Sequence, residues 1–237
     1  MTKKVLIIIP CFNEEASLPF VLQEINKIEL PDNYNLNILV VNDCSVDGTK
    51  SVAEAAGVLL LDLPINLGIG GAVQSGMMYA LENNYDIAVQ MDGDGQHPPD
   101  QFIKLINDHE STHANVVIGS RFIENEGFQS SFSRRLGIGY FYCLNYLFTG
   151  KRIYDSTSGY RLFDRTAIYI GAKCYPDDYP EPESLVLFSK AGLTIKEVPV
   201  IMHHRYGGQS SIRNFASLYY CIKVTIAMFF SFIRKTS

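Results

Sequence analysis

Apolar residues fall first into short unbroken runs and later into helical periods. Val5–Ile9 is a β-branched and leucine run stopped by Pro10, the pattern of a strand buried on both faces. Leu36–Val41, Val58–Leu61, Ile87–Met91 and Asn115–Gly119 repeat it. Between them, Ser17–Ile28, Gly48–Ala56, Gly70–Asn83 and Pro98–Glu110 carry helical spacing, the last with proline at its start. Strands alternating with helices predict βαβ units, a mostly parallel sheet and right-handed crossovers, a doubly wound Rossmann-like α/β fold.

The second half is less regular. Leu136–Phe148 is aromatic and predicts a helix, Tyr175–Glu183 a Pro- and acid-rich loop, Leu185–Ala191 a helix and Thr194–Met202 an extended strand. Phe215, Leu218, Ile222, Ile226, Phe229 and Ile233 are spaced 3, 4, 4, 3 and 4, so they share one face of a C-terminal amphipathic helix. Lys223 near its middle argues against a membrane span and for a helix lying in the interface, with Lys223, Arg234 and Lys235 near anionic headgroups. An oligomer seam, or packing on the domain, would use the same stripe. The division expected is 1–213 for the main domain and 214–237 for this helix.

Composition narrows the class. With 237 residues, 47% hydrophobic and 19% charged, the chain can bury one sizeable core. The net charge of −5 argues against a general nucleic-acid binder. It is unevenly placed: residues 198–237 carry +5 and no acid, leaving −10 on residues 1–197. Five scattered cysteines without a C-x-x-C pair fit a reducing cytoplasm, and the N-terminal apolar run is too short for a secretory signal.

In an open parallel sheet, ligands bind at the carboxyl ends of the strands. Four strand-end segments are polar: Pro10–Glu14, Asn42–Ser45, Asn66–Gly68 and Asp92–His97. Asp92-Gly-Asp94 offers two carboxylates suited to a hard divalent cation, Mg²⁺ or Mn²⁺, that would neutralise a diphosphate leaving group; a plain Asp-Gly turn is the alternative. Asp43 could accept hydrogen bonds from a base or ribose, or cap the next helix. The segment from Asn66 to Gly71 could cradle phosphate with backbone amides, although it lacks a Walker lysine. The histidines read as surface or loop residues, with His203 and His204 near phosphate.

Taken in order, Ile8-Ile9-Pro10-Cys11-Phe12-Asn13-Glu14-Glu15, Val40-Val41-Asn42-Asp43-Cys44-Ser45-Val46-Asp47-Gly48-Thr49, Asn66-Leu67-Gly68, Gln90-Met91-Asp92-Gly93-Asp94-Gly95-Gln96-His97-Pro98-Pro99 and Ile118-Gly119-Ser120-Arg121 resemble the family-2 glycosyltransferases of GT-A fold. The likeness continues through Asp155–Arg161 and Glu197–Val200 to Arg205–Ser210, and is greatest to the polyprenyl-phosphate sugar transferases, including dolichyl-phosphate mannose synthase. It implies that Pro10, Phe12, Asn13, Glu14 and Asp43 line a nucleotide site. Asp92 and Asp94 would hold metal and sugar diphosphate, joined by Gln96. Arg121 and Arg135 would face an acceptor phosphate, and Arg205 the donor or acceptor phosphates. Asn42 departs from the Asp of many relatives and bears on base selectivity. No tryptophan is present, so the Gln-x-x-Arg-Trp signature of processive synthases is missing.

The expected donor is a UDP- or GDP-sugar and the acceptor a polyprenyl phosphate at the cytoplasmic membrane face. A sugar hydroxyl needs a carboxylate base, for which Glu181 and Glu183 are candidates; a phosphate is already an anion and needs cations instead, and Arg121, Arg134, Arg135, Arg161 and Arg205 supply them. Rival readings are transfer to a saccharide hydroxyl, a sugar-phosphate nucleotidyltransferase and a non-catalytic binding module. Cys11–Glu14 offers no cation for the nucleotidyltransferase, and the intact Asp92–Asp94 pair opposes the binding module.

Overall fold

The computed structural model describes residues 2–123, 132–178, 180–203 and 216–234. Among them one seven-stranded sheet carries the order β3-β2-β1-β4-β6-β5-β7. Its strands are β1 (Lys3–Cys11), β2 (Tyr34–Asn42), β3 (Leu59–Asp62), β4 (Ile87–Gln90), β5 (Val116–Ser120), β6 (Arg161–Asp164) and β7 (Ile195–Pro199). All run parallel except β6, which lies antiparallel between β4 and β5.

Strand period sorts the core into two layers. Val5, Ile7 and Ile9 of β1 pack with α1 (Leu18–Ile25) and α4 (Phe102–Thr112), while Leu6 and Ile8 pack on the other face with α3 (Gly68–Glu82) and α6 (Arg165–Cys174). The short helix α2 (Thr49–Ala55) follows β2. The expected alternation of strands and helices in the first half holds, with boundaries moved by a few residues.

The second half corrects the sequence reading in two places. The segment from Tyr175 to Glu183 is not all loop: α7 spans Pro180–Lys190, with proline at its first position and Glu181 and Glu183 in its first turn, where acids favour a helix dipole. Arg161–Asp164 and Arg165–Cys174, unassigned from the pattern, form β6 and α6, and Asp164 caps α6 by accepting from the Ala167 amide at 2.8 Å.

Helices α5 (Phe132–Thr149) and α8 (Ala216–Ile233) pack beside α7. Val224 and Met228 of α8 bury against Phe141 of α5 and Val186 of α7. Of the stripe predicted from spacing, Ile222, Ile226, Phe229 and Ile233 are exposed, as are Tyr140, Tyr146 and Leu147 of α5, while Phe215 and the Leu218 side chain lie outside the described residues. Lys190 Nζ donates to the carbonyls of Ser231, Phe232 and Arg234, tying the end of α8 to α7. Lys223 pairs with Asp178 at 2.6 Å. No helix among the described residues is long and apolar enough to cross a membrane.

Candidate active site

Strand order reverses between β1 and β4, so the crevice outside their carboxyl ends is the topological switch point. Because β6 is antiparallel, the loop preceding it, Asp155–Tyr160, reaches the same edge. Segments far apart in sequence thus converge there.

Two of these loops are stitched together. The amide of Asn13, at φ 58°, donates to Ser45 Oγ at 3.0 Å, and Val46 N–H donates back to Asn13 Oδ1 at 2.9 Å. Glu14 N–H donates to Thr49 Oγ1 at 2.8 Å, and Gly48 N–H to Glu15 Oε2 at 2.9 Å. Pro10 is buried at the end of β1 and Phe12 is exposed at the mouth of the crevice.

Asp43 meets a helix start across the crevice. Its carboxylate accepts from Leu67 N–H at 2.7 Å and Gly68 N–H at 2.9 Å, so it caps α3 rather than α2, the next helix. Asn66 joins by donating to Asp43 O at 3.0 Å and accepting from Gly68 N–H at 3.2 Å. Gly70 N–H donates to Asp177 O at 3.1 Å. The Leu67, Gly68 and Gly70 amides of the segment expected to cradle phosphate are thus engaged within the chain. Asn42 is buried and donates to Asp62 Oδ1 at 2.7 Å. An aspartate there would set two carboxylates against each other.

Asp92 and Asp94 stand just beyond β4. Asp92 is half exposed to the crevice; Asp94 is buried, its Oδ1 accepting from Gln96 N–H at 2.9 Å. Two glycines sit at close approaches. A Cβ on Gly93 would lie 2.9 Å from Cys11 Sγ, and one on Gly159 would lie 3.2 Å from both Asp92 Oδ1 and Gln90 Nε2. Burial, then the charges of Glu14, Asp92, Asp47 and Asp94, push the Cys11 thiol well up, which marks the pocket as strongly negative.

The oxygen donors here fit a hard divalent cation. Among the described residues no group of three His, Cys, Asp or Glu converges as a metal cage. Two carboxylates and the Gln96 amide would leave coordination positions for substrate phosphates, the mode Mg²⁺ favours.

Arg121, expected to face the acceptor phosphate, is held by a carboxylate. It is 7% exposed, and its Nε and Nη2 donate to the two oxygens of the fully buried Asp155, each at 2.7 Å. Asp155 N–H and Tyr154 N–H in turn donate to the Glu197 carboxylate at 2.8 and 2.7 Å. Burial lowers the Arg121 pKa, but Asp155, with Asp92 and Glu181, raises it, so the net shift is upward. Arg161 is fully buried and donates to Ser158 O, Ser184 Oγ and Ser156 O at 2.7, 2.8 and 3.0 Å; it braces the loop and α7 rather than facing an acceptor. The side chain of Arg135 and all of Arg205, Arg134's side chain and His204 lie outside the described residues.

The two candidate bases diverge. Glu181 feels Arg161, Asp92 and Arg121, and burial raises its carboxyl. Glu183 faces Asp177, Asp178 and Arg234 in a separate cleft of about 400 Å³. His97, read from sequence as a loop residue, is buried behind Asp92. Asp155, Glu197 and the buried role of His97 were missed as supports; the signal was the antiparallel β6, which no local pattern reveals.

Comparison with known proteins agrees with this geometry. Residues 6–170 match the family described as Glycosyl transferase family 2. The chain is similar to the UDP-N-acetylglucosamine–dolichyl-phosphate N-acetylglucosaminyltransferase of Methanococcus voltae, 30% identical over 218 residues, covering 84% of this chain and 85% of that one. It is 31% identical over 221 residues to the undecaprenyl-phosphate mannosyltransferase of Micrococcus luteus, covering 88% and 87%. Glucosyl-3-phosphoglycerate synthase from Mycobacterium tuberculosis, solved with Mn²⁺, UDP and glucosyl-3-phosphoglycerate, has the same fold: TM-score 0.70 over 97% of this chain and 80% of that one, at 19% identity.

Proposed function

This chain belongs to glycosyl transferase family 2, and from that membership we propose that it moves a hexosyl group from a nucleotide-diphosphate sugar to a polyprenyl phosphate, with inversion. The observation that carries the donor half is the Asp92–Asp94 pair at the switch point between β1 and β4. The acceptor half is supported by relatives named for dolichyl and undecaprenyl phosphates. The outward apolar stripe of α8 beside the exposed side chains of α5 adds to it, since a long-chain acceptor resides in a membrane.

A phosphate oxygen of the acceptor attacks the anomeric carbon, and the bond from that carbon to the nucleoside diphosphate breaks. The products are a lipid-linked sugar phosphodiester and a nucleoside diphosphate. No proton need be removed from the nucleophile. A bound Mg²⁺ or Mn²⁺ would supply charge neutralisation for the departing diphosphate.

Asp92, Asp94 and Gln96 would hold that cation. Pro10, Phe12, Asn13 and Glu14 line the nucleotide side of the crevice in this reading. Asp43 and Asn66 set the start of α3 against it. Arg135 and Arg205 are assigned to the acceptor and donor phosphates, and Arg121 to holding Asp155. Residues 214–237 would place the 1–213 body on the cytoplasmic face of the membrane through the exposed stripe.

One observation favours a second reading, transfer to a saccharide hydroxyl: Glu181 shares the field of Asp92 with a raised pKa, as a general base would. A screen of UDP- and GDP-sugars with Mn²⁺ separates the two. The first reading expects one donor whose cleavage accelerates when polyprenyl phosphate is added and which tolerates Glu181→Gln. Cleavage that responds only to a saccharide, and is abolished by Glu181→Gln, overturns it.

A further inference from the structure

We propose that His97 is a positioning residue for the Asp92 carboxylate, acting through the backbone amide of Asp92. The β4 pairing ends as Met91 N–H donates to Ile8 O at 3.0 Å. The next amide, that of Asp92, has left the sheet and needs a partner wherever water is excluded. It donates to His97 Nδ1 at 3.0 Å.

This bond fixes the ring. Nδ1 accepts, so the proton resides on Nε2, which sits 3.7 Å from Asp92 Oδ2, beyond hydrogen-bond range. The imidazole is 4% exposed and stacks on Tyr160, centroids 4.9 Å apart and planes 9° apart. Tyr160 is itself anchored, its hydroxyl donating to Pro98 O at 3.2 Å and its carbonyl accepting from Gly119 N–H at 2.8 Å.

The segment from Asp92 to His97 is thereby closed on itself and clamped to the sheet. Gly159, the residue before Tyr160, lies so near that a Cβ on it would stand 3.2 Å from Asp92 Oδ1. Backbone direction at Asp92 is set by His97. Supporting hydrogen bonds of this kind typically contribute about 10–100-fold to metal affinity. The inference rests on reading Asp92 as a ligand for a divalent cation and diphosphate.

The test uses the full chain and measures Mn²⁺ binding by electron paramagnetic resonance, with UDP and GDP as the added nucleotides. His97→Leu should weaken Mn²⁺ by about 10–100-fold. His97→Asn should restore it, because Asn Oδ1 occupies the place of Nδ1. His97→Gln, whose acceptor lies one bond further out, should not. Wild-type affinity in His97→Leu, or His97→Asn no tighter than His97→Gln, overturns the role of His97. If His97→Leu does not fold, the Asn and Gln variants decide alone. Failure of the wild-type chain to bind Mn²⁺ with either nucleotide overturns the cation reading of Asp92 and this inference with it.

Discussion

Arg121 and Asp155 meet edge to edge in the interior, Nε and Nη2 each 2.7 Å from a carboxylate oxygen, with the Arg121 amide also donating to Asp155 Oδ2 at 3.1 Å. A pair so placed joins the end of β5 to the loop before β6 and gives that loop its shape at the crevice. Removing one partner strands a buried charge, which costs about 3–5 kcal/mol. Arg121→Ala should therefore lower the unfolding free energy in urea by that amount. Arg121→Lys should recover only part, since an ammonium cannot match both oxygens. Unchanged unfolding in Arg121→Ala would mean the pair does not hold the loop.

Asp94 offers a cleaner test of the donor site. Asparagine keeps an oxygen to accept from Gln96 N–H, so the loop should survive while the negative charge is lost. Asp94→Asn should reduce turnover at least about a hundredfold with an unchanged thermal midpoint. Chelator should do the same to the wild-type chain. Full activity in the variant, or in excess chelator, would contradict the cation site.

The C-terminal helix separates its two faces by substitution better than by truncation, because Val224 and Met228 belong to a buried cluster. Replacing Ile222, Ile226 and Phe229 together with serine should abolish flotation with anionic vesicles and leave the thermal midpoint unchanged. Met228→Ala should do the reverse, costing about 2–5 kcal/mol of stability. Equal flotation of the triple variant and the wild type would assign the stripe to something other than lipid.

These two faces show what the pattern of residues could and could not convey. The spacing conveyed the outward positions Ile222, Ile226, Phe229 and Ile233, yet Val224 and Met228, which anchor the helix, follow no longer run of their own. Likewise the runs Val5–Ile9 and Leu36–Val41 announced β1 and β2, because strands buried on both faces are written as unbroken apolar stretches. Arg161–Asp164 carries a charge at each end and only two apolar residues between, so β6 was invisible until its neighbours were in place. The carboxylates at Asp92 and Asp94 were legible from local sequence. The partners of Asp43, Arg121 and His97 depend on contacts between segments far apart in the chain or on the closure of a loop, and were not.

Glu183 links the fold to pH. Burial first, then Asp177 and Asp178, raise its carboxyl, with Arg234 opposing. A raised carboxyl favours the folded state most below the unfolded value, about 4.3, and that contribution is lost as pH rises through the folded value. Glu183→Gln should therefore melt above the wild type at neutral pH, and the gap should close as pH falls toward about 4.3. A gap independent of pH would show that Glu183 is not perturbed in the folded chain.

The acceptor is decided by the phosphorus it carries. In ³¹P nuclear magnetic resonance of a reaction with the cleaved nucleotide sugar, Mg²⁺ and polyprenyl phosphate, the lipid monoester signal should give way to a diester signal. Nucleoside diphosphate should appear in equal amount. A lipid phosphate that stays a monoester, while the sugar is recovered on a saccharide hydroxyl, would contradict transfer to polyprenyl phosphate.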